Sequence, residues 1–128
     1  MKKILVADVP QMDLRYTTAL SGWEIEFVRT LAQARQAIGR VRPDVIALGV
    51  YFDDSQMFDL LRIVRADAVH ASVPVVCVRG RPGFTAVSSR SLEIAVKALG
   101  ADEFIELAAG EKGDGTLRAV VEKLISSG

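Results

Sequence analysis

The chain has one cysteine, one histidine and no net charge, and each scarcity removes a class of protein. Cys77 has no partner for an internal disulfide and lies in an apolar run, residues 75–78, so it is expected in the core as a small inert side chain. A chain of 128 residues buries roughly two-thirds of its unfolded surface and needs neither a disulfide nor a metal staple. His70, the single imidazole, has no Ser, Cys or acidic partner implied beside it, so a solvated loop histidine is expected rather than a catalytic one. Sixteen basic residues balance sixteen acidic ones, which removes the net cationic surface that direct nucleic-acid binding uses. No apolar stretch has the length of a membrane span. The run after Met1-Lys2-Lys3 is broken by Asp8, too early for a secretion signal, so the expected location is the cytoplasm, without a membrane partner. No glycine fingerprint of a Walker or dinucleotide loop occurs.

What is present is ordinary for a globular protein: half the residues are hydrophobic and a quarter charged. One domain is expected over residues 1–125, with 126–128 as a tail or the start of a linker. Apolar runs at 4–7, 45–50 and 74–78 are continuous rather than alternating, the mark of strands covered on both faces. Residues 24–28 and 103–106 alternate more, as edge strands do. Between them lie amphipathic helices. The first carries Met12, Tyr16, Ala19 and Leu20. The second, with Thr30 as its cap, carries Leu31, Ala34, Ile38 and Val41 on one face. The third, capped by Ser55, carries Met57, Leu60, Leu61 and Val64. The fourth carries Leu92, Ala95, Val96 and Leu99 and stops at Gly100. The fifth carries Leu117, Val120, Val121 and Leu124. Five β-α units in succession predict a doubly wound α/β fold, one parallel sheet with helices on both faces. Ligands of such sheets bind beyond the carboxyl ends of the strands, so the residues just after each strand matter most.

Several of those junctions have a familiar look. Ile4-Leu5-Val6-Ala7-Asp8, Arg42-Pro43-Asp44, Arg65-Ala66-Asp67 followed by Val73-Pro74-Val75-Val76, and Gly100-Ala101-Asp102-Glu103-Phe104 occur in this order. Together they resemble the receiver domains of bacterial two-component response regulators, over nearly the whole chain. The resemblance implies a CheY-like, flavodoxin-like five-stranded sheet with strand order 2-1-3-4-5. It also implies a phosphoryl-accepting site: a nucleophilic Asp ending the third strand, acidic Mg²⁺ ligands after the first, a hydroxyl after the fourth and a Lys after the fifth.

The chain keeps one of those five groups. Asp8 matches the first acid, but Val9 stands at the second, Gly49 at the nucleophile, Arg79 at the hydroxyl and Leu107 at the Lys. The resemblance is thus to a degenerate, or pseudo-, receiver. One carboxylate is a poor Mg²⁺ site, so neither a metal nor a cofactor is expected, and no residue is assigned a catalytic role. Asp8 is expected to serve as a strand-end residue, hydrogen-bonded to nearby backbone or paired with Arg79. The 79–91 loop is longer than in the family and carries Arg79, Arg81, Phe84 and Arg90, a candidate anion or partner loop. A surface loop is the more ordinary reading of its composition. Trp23 is expected against the sheet edge, and Asp53 and Asp54 at the start of the third helix, where acid suits the helix dipole. Phe104 matches the aromatic that reports phosphorylation in receivers, and a packed or partner-facing ring is expected here.

The expected function is a phosphorylation-independent, non-enzymatic signalling module that binds a protein partner or a fused output domain. The resemblance places the partner face, and a possible homodimer contact, on the fourth helix, fifth strand and fifth helix, with Phe104, Arg90, Glu93, Lys97 and Lys123. Two alternatives stay open: an anion or small-ligand sensor using the 79–91 loop, and a phosphotransfer receiver accepting on Asp53 or Asp54.

Overall fold

The computed structural model describes residues 2–40, 42–80, 88–107 and 110–126. Five parallel strands are β1 (Lys3–Ala7), β2 (Glu24–Val28), β3 (Val45–Gly49), β4 (Val75–Arg79) and β5 (Glu103–Glu106). They form one sheet in the order β2-β1-β3-β4-β5. The helices are α1 (Asp13–Ala19), α2 (Leu31–Arg40), α3 (Met57–Ala66), α4 (Ser89–Ala98) and α5 (Gly110–Ser126). Ser126, assigned to the tail from sequence, is the last residue of α5, and 127–128 lie outside the described residues.

Alternation along each strand builds two cores. Ile4, Val6, Val45, Ala47, Val76 and Val78 pack with Tyr16 and Leu20 near α1 and with Leu117, Val121 and Leu124 of α5. Leu5, Ala7, Ile46, Leu48, Val75 and Cys77 face Ala34 and Ile38 of α2, Leu60, Leu61 and Val64 of α3, and Leu92 and Val96 of α4. Continuous apolar runs are the consequence of strands sandwiched this way. β3 and β4 are buried at every position, whereas the edge strands β2 and β5 are partly exposed. Cys77 is fully buried, and burial pushes its thiol up to about 12. Trp23 is half-buried against the α1–α5 core.

The caps divide between agreement and correction. Thr30 caps α2 by accepting from the Gln33 N–H at 3.1 Å, but Val41 lies outside the described residues. Ser88 caps α4, its hydroxyl accepting from the Ser91 N–H at 3.0 Å. Ser55 caps nothing. Asp53, Asp54 and Ser55 all adopt left-handed backbone, with φ of 43°, 54° and 65°, and α3 starts behind Gln56 without a side-chain cap. Left-handed residues turn the chain out of the extended geometry that an N-cap uses. Asp53 serves α2 instead of α3, its carboxylate accepting from the Leu31 N–H at 2.8 Å.

His70 also departs from expectation. It is 1 % exposed, and Asp67, three residues earlier, lies 2.5 Å from its Nδ1. The same carboxylate accepts from the His70 N–H at 3.1 Å. A turn after α3 tucks the ring beneath the domain, and a buried imidazole requires such a partner.

Arg65 ties this turn to the neighbouring one. Its Nε donates to the Gly100 carbonyl at 2.8 Å, and one terminal nitrogen donates to the Val73 and Ala71 carbonyls at 2.7 and 3.1 Å. The other meets Asp102 at 3.0 Å. Asp102 in turn accepts from the Val75 N–H at 2.8 Å, fixing the start of β4 against β5. Gly100 ends α4 at φ +108°, and a Cβ there would stand 3.0 Å from Arg65 Cγ, so glycine serves both turn and strut.

Replacing Arg65 removes the donor to the part-buried Gly100 and Val73 carbonyls and the partner of Asp102. Arg65→Ala is expected to cost about 2–4 kcal/mol in urea unfolding, and Arg65→Lys most of the same, because an ammonium cannot span the fork. A loss within about 0.5 kcal/mol for both would show that the strut is incidental.

Candidate functional site

Parallel pairing gathers the strand ends along one edge of the sheet. Ala7 pairs with Leu48, Gly49 with Val78 and Arg79 with Glu106, so Asp8, Gly49, Arg79 and Leu107 arrive in neighbouring positions. Val9 precedes a 3-10 turn, Pro10–Met12, that leads into α1.

Asp8 is 3 % exposed. One carboxylate oxygen accepts from the Val9 N–H at 2.7 Å and the other from the Tyr16 hydroxyl at 2.9 Å. The carboxylate lies directly over Gly49. A Cβ built on Gly49 would fall 2.1 Å from Asp8 Cγ and Oδ1, where no atom fits. Asp8 thus occupies the volume that a side chain at the end of β3 would need. Burial raises Asp8 to about 6, although the Val9 N–H, the Tyr16 hydroxyl and the Arg29 charge all pull it down. Tyr16 is pushed well above the usual phenol value by its own burial and by the adjacent Asp8.

Arg79 does not reach Asp8. It is 4 % exposed, and its guanidinium donates at 2.9 Å to the Ser89 hydroxyl, which donates at 2.5 Å to Glu106. Geometry explains the difference. β3 separates β4 from β1, whereas Glu106 is the register partner of Arg79 on adjacent β5 and Ser89 opens α4. The cation beside Asp8 is Arg29, at the end of β2. It donates to the Asp8 carbonyl at 3.1 Å, pairs with Asp13 in the first turn of α1, and lies 5.2 Å over the Phe27 ring. Leu107 is 2 % exposed and belongs to the α1–α5 core. Gly80 gives Met12 room: a Cβ there would stand 2.4 Å from the Met12 sulfur.

Tyr16, Arg29, Ser89 and Glu106 were not singled out from sequence. In the sequence Tyr16 belongs to an apolar stripe, and its hydroxyl on that stripe is the signal of a polar partner. Of the candidate loop, Arg81 and Phe84 lie outside the described residues. Arg90 is exposed on α4. On the α4–β5–α5 side, Glu93 pairs with Lys97 at 3.0 Å, Lys123 with Glu103 at 3.3 Å, Ile94 is 60 % exposed, and Phe104 is half-buried against the core. Among the described residues, no group of three or more His, Cys, Asp or Glu side chains is arranged to hold a metal.

No family model matches the chain, and no curated protein does. Solved structures do. A signal receiver domain of a histidine kinase from Syntrophus aciditrophicus superposes with a TM-score of 0.79 at 23 % identity, over 99 % of this chain and 92 % of that one. The phosphorylated cyanobacterial phytochrome response regulator RcpA gives 0.80 at 19 % identity, over 99 % and 96 %. NtrX from Brucella abortus, in complex with ADP, gives 0.75 at 24 % identity, over 99 % of this chain and 27 % of NtrX. The fold is that of response-regulator receiver domains. Within the receiver fold, the edge that gathers Asp8, Gly49, Arg79 and Leu107 is the one where the sequence resemblance places a phosphoryl-accepting site.

The raised Asp8 value gives a signed pH dependence. A carboxyl that is harder to ionise when folded favours the fold below the unfolded value near 4, and that contribution is lost as pH rises through about 6. The loss amounts to about 3 kcal/mol by pH 7.5. Asp8→Asn, which cannot ionise, is therefore expected to gain about that much relative to the parent between pH 4 and pH 7.5 in denaturant unfolding. Parallel pH profiles for the two proteins would contradict the assignment.

Proposed function

We propose that the chain is a phosphorylation-independent signalling module of the receiver type, acting through contact with another protein or a fused output domain. The observation that carries this reading is the Asp8 carboxylate seated over Gly49, which leaves neither a nucleophile at the end of β3 nor room for one. The neighbouring groups support it. Leu107, packed in the core, stands where a phosphate-binding Lys would, and the Arg79 guanidinium is engaged with Ser89.

The residues present do not fit Mg²⁺. Receivers use two acids after the first strand and the acceptor carboxylate, and here only Asp8 remains, with its oxygens on Val9 and Tyr16. We accordingly assign the chain no metal, no cofactor and no catalytic activity. An atypical acceptor has little support: Asp53 is spent on the α2 N-terminus, and exposed Asp54 lies on the same left-handed stretch. Balanced charge favours a protein partner over a nucleic acid. No helix among the described residues is long and apolar enough to cross a membrane, and we place the module in the cytoplasm. The α4–β5–α5 side, with Ile94 exposed among paired charges, is the face we assign to an output domain or a second copy.

Incubation with acetyl phosphate and Mg²⁺, followed by intact-mass analysis, is expected to leave the mass unchanged. A phosphoryl adduct lost on replacing Asp8, Asp53 or Asp54 would overturn the reading.

A further inference from the structure

α2 and α3 pack side by side on the same face of the sheet, both contributing to one core. Between them runs a cleft of about 380 Å³, with Ile38 and Gly39 on one wall and Ile63 and Ala66 on the other. It shares Ile38, Gly39 and Asp67 with a second cleft of about 220 Å³, so the two make one continuous groove ending at Val69. Val69 is 60 % exposed and extends the apolar floor to the surface. A Cβ on Gly39, midway along, would meet nothing within 4 Å, which marks open space at the centre.

Basic side chains outnumber acids along the rim. Arg35, Arg40 and Arg42 line the α2 side, against Asp67, whose carboxylate is held by His70, and Glu26, which pairs with Arg40. Arg40 pairs with Glu26 at 2.6 Å, and Arg42 donates through Nε to the Val69 carbonyl at 3.2 Å. The Arg35 side chain is exposed and makes no hydrogen bond or ion pair among the described residues. A cleft with Ile38, Ile63 and Val69 at its base and unmatched Arg35 on its lip suits an amphipathic segment, and the charge selects an acidic one.

We propose that the α2–α3 groove docks an acidic, amphipathic segment of a protein partner, its apolar side chains on Ile38 and Ile63 and its carboxylates toward Arg35 and Arg42. The proposal rests on the reading of the chain as a protein-binding module and locates a contact away from the α4–β5–α5 face.

The test is an NMR titration of the full chain with a synthetic helical peptide carrying Leu at i, i+4 spacing and Glu elsewhere. Saturable shifts confined to α2, α3 and residues 67–70 are expected, weakening as salt is raised. Gly39→Trp fills the groove at a site with room for it, and Arg35→Glu with Arg42→Glu reverses the lip. Each is expected to weaken binding at least about tenfold, with unfolding midpoints confirming that the variants fold. The same peptide with Lys for Glu is expected not to bind. No saturable shifts, or affinity unchanged in both variants, overturns the groove. Shifts mapping to α4 and β5 overturn it too, while leaving the protein-binding reading intact. A phosphoryl adduct in the preceding experiment removes that reading whatever the peptide does.

Discussion

The Asp8 carboxylate over Gly49 is the contact around which this strand edge is arranged. A side chain at the end of β3 and the present Asp8 rotamer exclude each other, since their atoms would lie about two ångströms apart. With glycine there, Asp8 leaves water and turns to the Val9 N–H and the Tyr16 hydroxyl. The cost is a carboxylate that is hard to ionise, softened by two hydrogen bonds and the charge of Arg29.

The other side chains along this edge are likewise packed or paired within the fold. Leu107 adds an apolar side chain to the α1–α5 core where a lysine would demand solvent or an anion. Arg79, buried at the end of β4, is tied through Ser89 to Glu106, linking β4, the start of α4 and β5. Arg65 performs a related task at the opposite strand ends, where it joins the turns before β4 and β5. Arginines thus tie neighbouring elements at both ends of the sheet, Arg79 through Ser89 and Arg65 through several hydrogen bonds, a role suited to a planar fork of donors.

Much of the fold was legible because burial imposes period. Strands covered on both faces read as continuous apolar runs at β1, β3 and β4, and the α3 stripe of Met57, Leu60, Leu61 and Val64 is wholly buried. The site was legible only as positions. That Asp8, Gly49, Arg79 and Leu107 meet follows from the order of the strands; what each side chain touches does not. Of the two expected partners of Asp8, nearby backbone is found in the Val9 N–H, whereas a strand intervenes before Arg79 and the Tyr16 hydroxyl on α1 takes the other oxygen. His70 has no evident partner in the sequence pattern and reads as solvated, whereas the packed turn brings Asp67 to its ring and buries it. Ser55 is of a residue type that suits a cap, but residue type does not report the three successive left-handed residues that accompany the Asp53 contact with the start of α2.

The coupling between positions 8 and 49 tests the central claim most directly. In a double-mutant cycle read by urea unfolding, Gly49→Ala alone is expected to destabilise by about 1–3 kcal/mol, because the new methyl and the Asp8 carboxylate claim one space. In an Asp8→Ala background, where that space is empty, the same substitution is expected to be neutral or stabilising. An equal cost in both backgrounds would mean that Asp8 does not fill the place of the missing side chain.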